Sequence, residues 1–396
     1  MKTVLPFLKK FYRWEYFWLC LIVVTTLALH FAIVNNPKEL ILDETYYVNE
    51  ARGVSENHTV RFQEHPPLGK LFITAGIEIF GDNQLGWRFF SILLGTGSIV
   101  LFYFICRQLN LSRRTASIAT FLLGFENLMF IQSSVAMLDV FYVFFMFGAF
   151  LLYLLRRYFA AGITAGLCVL AKLNGALAMP VLIIHWFASK VNRSRWFAMT
   201  IVLSIITFVV LLPLLEYIII QDFSQVPDPF HRIKTMLSLT GSITFENSTH
   251  ESMSRPWMWV INYKAMPYWW VPHYIAAISP SIWALIIPAF AYLLYRAVRR
   301  DEAGLFGAAW FASTYLIWIP MSLLTNRISY VFYFYPTVGA ICLGVGMGMS
   351  QLIDIFKGSR PRKLRWPLIG LVILIFLAHI VSFMILYPLF PIKLYK

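Results

Sequence analysis

The sequence predicts an all-α protein that crosses a membrane many times, and three observations carry that prediction. Of 396 residues, 59% are hydrophobic and 13% charged, with a mean hydropathy of +0.68. Surface grows too slowly with chain length for a soluble fold of this size to hide so much apolar side chain. The apolar residues also gather in runs of about 20, the length a helix needs to cross hydrocarbon with its backbone groups satisfied internally. Lastly, the cations cluster in every second gap between those runs.

About eleven runs qualify as transmembrane helices, at 14–35, 88–106, 116–133, 140–156, 159–171, 175–188, 197–219, 275–295, 304–325, 328–350 and 366–388. The two between 159 and 188 are short and rich in Gly and Ala. Lys2, Lys9, Lys10 and Arg13 precede the first run, and Arg107, Arg113 and Arg114 follow the second. Further basic clusters are Arg156–Arg157, Lys190 with Arg193 and Arg195, Arg296 with Arg299 and Arg300, and Lys357 with Arg360, Arg362, Lys363 and Arg365. Cations are retained on the cytoplasmic side of short loops, so the N-terminus is expected inside and, with an odd count, residues 391–396 outside. Topology thereby accounts for nearly all of the +14 net charge. A nucleic-acid partner is excluded despite a pI of 9.6, because the charge follows the loops rather than one binding face.

Two loops on the outer face are long, at about 36–87 and 220–274. The chain reads as one integral-membrane domain over 1–396, multi-pass in the plasma membrane, with any chemistry on the outer face. The first run is too long for a cleaved signal and lacks a small-residue cleavage site. Cys20, Cys106, Cys168 and Cys342 fall in or beside predicted helices, which suits apolar packing and neither disulfides nor a metal site. No internal repeat or low-complexity run is found, nor the paired broken helices of a transporter. Asn57-His58-Thr59 and Asn247-Ser248-Thr249 are glycosylation sequons on the outer loops.

The outer loops hold the polar chemistry. Asp43-Glu44 follows the first helix, then comes Gln63-Glu64-His65-Pro66-Pro67-Leu68-Gly69-Lys70. Leu71 to Ile77 has the pattern of an amphipathic helix lying at the interface. Gly86-Trp87-Arg88-Phe89 opens the second span. Met137-Leu138-Asp139, Ala171-Lys172, His250, Ser254-Arg255-Pro256-Trp257-Met258-Trp259, Arg327 and Phe332-Tyr333-Phe334-Tyr335-Pro336 follow in order.

In that order and spacing these blocks resemble the protein O-mannosyltransferases, over most of the chain. The resemblance implies a C-type glycosyltransferase fold, a polyprenyl- or dolichyl-phosphate mannose donor and a Ser/Thr-containing polypeptide acceptor. It also implies that the first acid of the pair is the catalytic base. Two departures point to the shorter prokaryotic branch. Eukaryotic members have an aspartate two residues before the His-Pro-Pro, where this chain has Gln63. They also carry a β-trefoil domain in the second outer loop, and about 50 residues cannot hold one.

Elementary chemistry agrees with this reading. An acceptor hydroxyl loses its proton as it attacks the anomeric carbon, so a carboxylate base is required. Asp43 is the expected base, with Glu44 orienting the acceptor or tuning its neighbour through carboxylate repulsion; a solvated acidic turn is the plain alternative. Charge builds on the leaving phosphate, and Arg88, Lys172, Arg255 and Arg327 stand on the outer side against the positive-inside trend, either snorkelling or bound to an anion. His65 would donate to phosphate or sugar, or cap a turn. Lys70 would pair with Glu64 or reach phosphate, and Asp139 would partner one of the arginines near the donor or form a purely structural ion pair. Glu64, His250, Arg255 and Trp257 are placed at the acceptor side or in the outer loop. The aromatics crowding that loop suit an interfacial belt, with one or two available to stack on the sugar. No cofactor or metal is expected, the lipid-linked sugar being a substrate. Membrane lipids are expected partners, and a dimer or an association with a translocon is left open. The rival readings are a C-type enzyme moving another sugar to a lipid or glycan, a lipid flippase or transporter, and a non-catalytic scaffold.

Overall fold

The computed structural model describes residues 14–60, 62–358 and 362–389. Lys2, Lys9, Lys10, Arg13, Arg360 and residues 391–396, which bear on the expected orientation, lie outside them. The described residues are mostly helical, and one continuous apolar core runs from Leu19 to Tyr387.

Five helices are long and apolar enough to cross a membrane, namely Gln84–Gln108, Phe197–Ile220, Glu302–Thr325, Val331–Lys357 and Trp366–Leu386. The pair Asn127–Ser134 and Leu138–Leu154, bent by 117°, makes a sixth if counted as one broken span. Phe17–Ile33, Tyr158–Ala171, Leu173–Ala188 and Ile286–Val298 are shorter apolar helices. Every expected run thus contains helix, but the count of eleven full spans is not what the structure shows.

Two differences have clear physical causes. The run expected at 116–133 is split into Arg113–Gly124 and Asn127–Ser134. The carboxylate of Glu126 sits at the break, accepting from Met129 N at 2.8 Å and from Ser279 N at 2.7 Å. The run expected from 275 begins as a strand, Tyr274–Ala277, paired antiparallel with Ala265–Trp269. The bend at 135–137 is the broken helix that hydropathy does not reveal. It exposes backbone that must be satisfied without water, and Ala136 N donates to Glu44 Oε1 at 2.8 Å.

The segment between the first two apolar runs folds into two helices. Glu44–Asn57 ends on His58 in a left-handed conformation. Pro67–Phe80 starts with Pro67 in the first turn, where a missing N–H costs nothing, and stops at Gly81, φ 86°. It contains the helix expected over Leu71 to Ile77 and buries Gly69, Lys70, Ile73 and Ile77 on one face. Gly69 is required for this packing, since a Cβ there would lie 2.8 Å from the Ala171 carbonyl oxygen. That contact brings the His-Pro-Pro segment beside Lys172.

Candidate active site

Asp43, Tyr47, His65, Lys172, Leu173, Asn174, Thr240, Arg327, Tyr330, Phe332 and Tyr333 line a cavity of about 90 Å³. It collects side chains from five distant segments. Asp43 stands at the start of the Glu44–Asn57 helix, and the residue before it, Leu42, is held at φ 46°. A branched side chain rarely adopts that left-handed backbone, which fits a turn fixed by its surroundings.

Those surroundings are built on Glu44. Its carboxylate, fully buried, accepts from Arg88 Nε at 2.9 Å, Arg88 Nη2 at 2.8 Å, Ile41 N at 3.2 Å and Ala136 N at 2.8 Å. Arg88 is equally buried, and its Nη1 donates to the carbonyls of Val34 at 2.9 Å and Pro37 at 3.1 Å. Neither residue faces the cavity. Of the roles expected from sequence, an acceptor contact for Glu44 and a donor-phosphate contact for Arg88 are therefore corrected: the bonds of the pair join the first helix, the 41–44 turn and the bend at Ala136.

Asp43, by contrast, opens on the cavity. Burial pushes its pKa up to about 6, with the Asp139 carboxylate reinforcing the rise and Lys172 and His250 opposing it. Lys172 donates to Asp139 Oδ2 at 2.7 Å and lies 5.8 Å from the Phe332 ring centre and 6.0 Å from that of Tyr333. Burial holds the His65 imidazole well below its usual pKa, and Lys172, Lys70, Arg327 and Arg232 push the same way, so it is neutral. The buried polar atoms without a hydrogen-bond partner among the described residues include His65 Nδ1 and Arg327 Nε from the cavity lining and Asp139 Oδ1 beside Lys172. Unpartnered polar atoms at a cavity are what a polar ligand would satisfy.

The remaining expected residues stand behind this layer. Lys70 pairs with Glu50 Oε1 at 2.9 Å and donates to the Phe62 carbonyl, so it braces the loop from beneath instead of meeting Glu64 or phosphate. Glu64 contributes its carbonyl, which accepts from Thr240 Oγ1 at 3.2 Å. Arg255 donates to Ser322 O at 3.2 Å and to Asn326 Oδ1 at 2.5 Å, with its guanidinium 3.9 Å from the centre of the Phe245 ring. Trp257 lies alongside Arg255, and exposed His250 packs edge-on against Tyr330 at 5.3 Å. Arg327 is held by backbone pairing of Thr244 with Arg327 and by Ile328 N donating to Ile243 O at 3.2 Å.

Sequence reasoning missed a second brace. Arg232, 3% exposed, pairs with Glu216 and donates through Nη1 to the Gln63 carbonyl at 2.6 Å and through Nη2 to the His65 carbonyl at 3.3 Å. Its helix, Pro229–Gly241, is started by Asp228, whose Oδ1 accepts from Phe230 N at 3.0 Å and His231 N at 2.9 Å. Glu216 is the one charge in the 24-residue apolar helix Phe197–Ile220, a signal that a carboxylate at membrane depth has a committed partner.

A profile of the family described as dolichyl-phosphate-mannose-protein mannosyltransferase matches residues 76–224. The polyprenol-phosphate-mannose–protein mannosyltransferase of Mycobacterium tuberculosis is 35% identical over 136 residues, which are 33% of this chain and 26% of that relative. The matched segment is thus about a quarter of the mycobacterial protein. The Corynebacterium glutamicum protein of the same name is 22% identical over 85% of this chain and 83% of its own length. Among solved structures, the Saccharomyces cerevisiae protein O-mannosyltransferase Pmt1-Pmt2 complex bound to the sugar donor superposes with a TM-score of 0.76. It covers 94% of this chain and 90% of that one at 12% identity, a likeness of fold. Profile, relatives and fold point the same way: residues 76–224 of this integral membrane chain match the protein mannosyltransferase family, and the chain as a whole shares the fold of a protein O-mannosyltransferase.

Proposed function

We propose that the chain transfers mannose from a polyprenyl-phosphate-linked donor to Ser or Thr hydroxyls of exported polypeptides, on the outer face of the plasma membrane and with inversion at the anomeric carbon. One observation carries this reading. A desolvated carboxylate, Asp43, shares a small cavity with Lys172, Arg327 and a neutral His65, so a base and an anion cradle face the same space. In the proposed step Asp43 takes the hydroxyl proton as the acceptor oxygen bonds to the anomeric carbon, and the bond from that carbon to the phosphate oxygen breaks. The phosphomonoester departs toward Lys172 and Arg327, fixed cations being the efficient way to stabilise charge that appears during reaction. His65 donates to sugar or phosphate, and Asp139 keeps Lys172 in place. The scheme uses no cofactor. The names of the mycobacterial and corynebacterial relatives support the donor and the protein acceptor.

The test is to incubate membranes holding the protein with labelled polyprenyl-phosphate mannose and a Ser/Thr-rich peptide. Label is expected on the peptide. Label reaching only lipid or glycan would overturn the acceptor assignment in favour of a different C-type transferase.

Two further outcomes follow from the geometry. A base with a pKa of about 6 must be deprotonated to act, so transfer is expected to be flat above pH 7 and to fall about tenfold per unit below pH 6; a profile without that acid limb would remove Asp43 as base. Arg232→Gln leaves the cavity wall intact but frees the 63–65 carbonyls. Misplacing His65 on the scale of an ångström is expected to lower kcat about 10- to 100-fold, with Arg232→Lys recovering part of the loss; unchanged kcat in the glutamine variant would show that the brace is dispensable.

A further inference from the structure

The face opposite Asp43 carries two cavities that meet. Trp18 lies in the first turn of the Phe17–Ile33 helix whereas Asp43 lies beyond its other end, so the length of that helix, roughly 25 Å, stands between these cavities and the Asp43 cavity. The first, about 740 Å³, is an apolar groove lined by Trp18, Leu21, Thr25, Phe121, Phe125 and Phe376. It runs along the Arg113–Gly124 helix, which at 1.5 Å per residue is roughly 18 Å long. The second, about 780 Å³, is polar and receives Arg113, Arg114, Arg296, Arg299 and Asp354. Arg113 and Arg114 line both.

Charge and shape together select the occupant. Four guanidinium groups from two separate segments converge with a single carboxylate, Asp354, in the polar cavity. Arg114 donates to Asp354 at 2.5 Å and to Ser350 Oγ at 2.9 Å, Arg296 to Asp301 at 2.8 Å, and Arg299 lies 4.6 Å from the Tyr295 ring centre. A positive balance remains. Arginines that serve only to orient a membrane protein need face nothing in particular; here they stand at one end of an apolar groove of acyl-chain length. Guanidinium groups at membrane-surface level beside hydrocarbon-lined space recognise phosphate headgroups through charge-assisted bonds.

We propose that this face binds an anionic phospholipid of the leaflet opposite the Asp43 cavity, with an acyl chain in the Trp18–Phe121–Phe376 groove and its phosphate at Arg113, Arg114 and Arg299. The site is independent of the transferase chemistry and would persist if that assignment failed.

Purified protein in detergent micelles is titrated with phosphatidylglycerol, phosphatidylcholine or inorganic phosphate while Tm is followed. Phosphatidylglycerol is expected to raise Tm saturably and phosphatidylcholine not. Arg113→Gln with Arg299→Gln is expected to weaken the response about thirtyfold, each juxtamembrane arginine contributing roughly 1 kcal/mol. Equal shifts with the two lipids, or an undiminished response in the double variant, would overturn the proposal, and a full shift with inorganic phosphate would reassign the cavity to a free anion. Should the variant fail to fold, native mass spectrometry of the wild type decides: preferential retention of phosphatidylglycerol supports the site and equal retention of both lipids removes it.

Discussion

Asp43→Asn is expected to reduce mannosyl transfer by about 10²- to 10⁴-fold, the usual contribution of a positioned general base. Asparagine matches the shape of the side chain and cannot take the proton. Lys172 still bonds Asp139, and Arg327 still lines the cavity, so the loss should appear in kcat with the donor KM little changed, because the anion cradle is untouched. Asp43→Glu should recover part of the rate by restoring a carboxylate at a shifted position. The measurement is steady-state transfer from labelled donor to peptide at saturating donor. Equal turnover by wild type and Asp43→Asn would mean that another group accepts the proton.

The second large effect is on stability. Arg88→Met leaves Glu44 charged, buried and surrounded by two backbone donors that cannot neutralise it. Breaking a buried pair by removing one partner costs about 3–5 kcal/mol, a large share of the 5–15 kcal/mol that typically separates folded from unfolded chains. The variant is expected to accumulate poorly and to unfold at markedly lower temperature in detergent. Replacing both partners, as Glu44→Leu with Arg88→Met, should not restore it, since the N–H groups of Ile41 and Ala136 and the carbonyls of Val34 and Pro37 would lose their partners together. Wild-type Tm in Arg88→Met would show that the pair contributes no net stability.

The sequence exposed the parts of the site whose chemistry is local and concealed those whose role is relational. Asp43, His65, Lys172 and Arg327 are readable because a carboxylate, an imidazole and cations that break the alternation of basic gaps need a reason to be there, and the structure gathers all four. Glu44 and Arg88 were equally visible as types. Nothing in the order of residues reveals that they pair across 44 positions and so leave the site. Lys70 was placed in the right neighbourhood with the wrong carboxylate, because Glu50 comes within reach only once 44–57 is a helix, and that loop shows no strong apolar period. Arg232 binds main-chain carbonyls, targets every sequence possesses. Hydropathy located each apolar helix but not its interruptions. Whether Glu126 breaks a helix depends on Ser279, 153 residues away.

The grip of Arg232 and Thr240 on the 63–65 segment has an evolutionary consequence. Both hold peptide oxygens, those of Gln63, His65 and Glu64, and neither donates to a side chain there. Drift at residue 63 is therefore decoupled from where the imidazole sits: a different side chain there alters what the loop shows to its surroundings while the anchoring contacts stay the same. On the proposed function, acceptor preference can diversify in this segment while the geometry around Asp43 and His65 stays as it is.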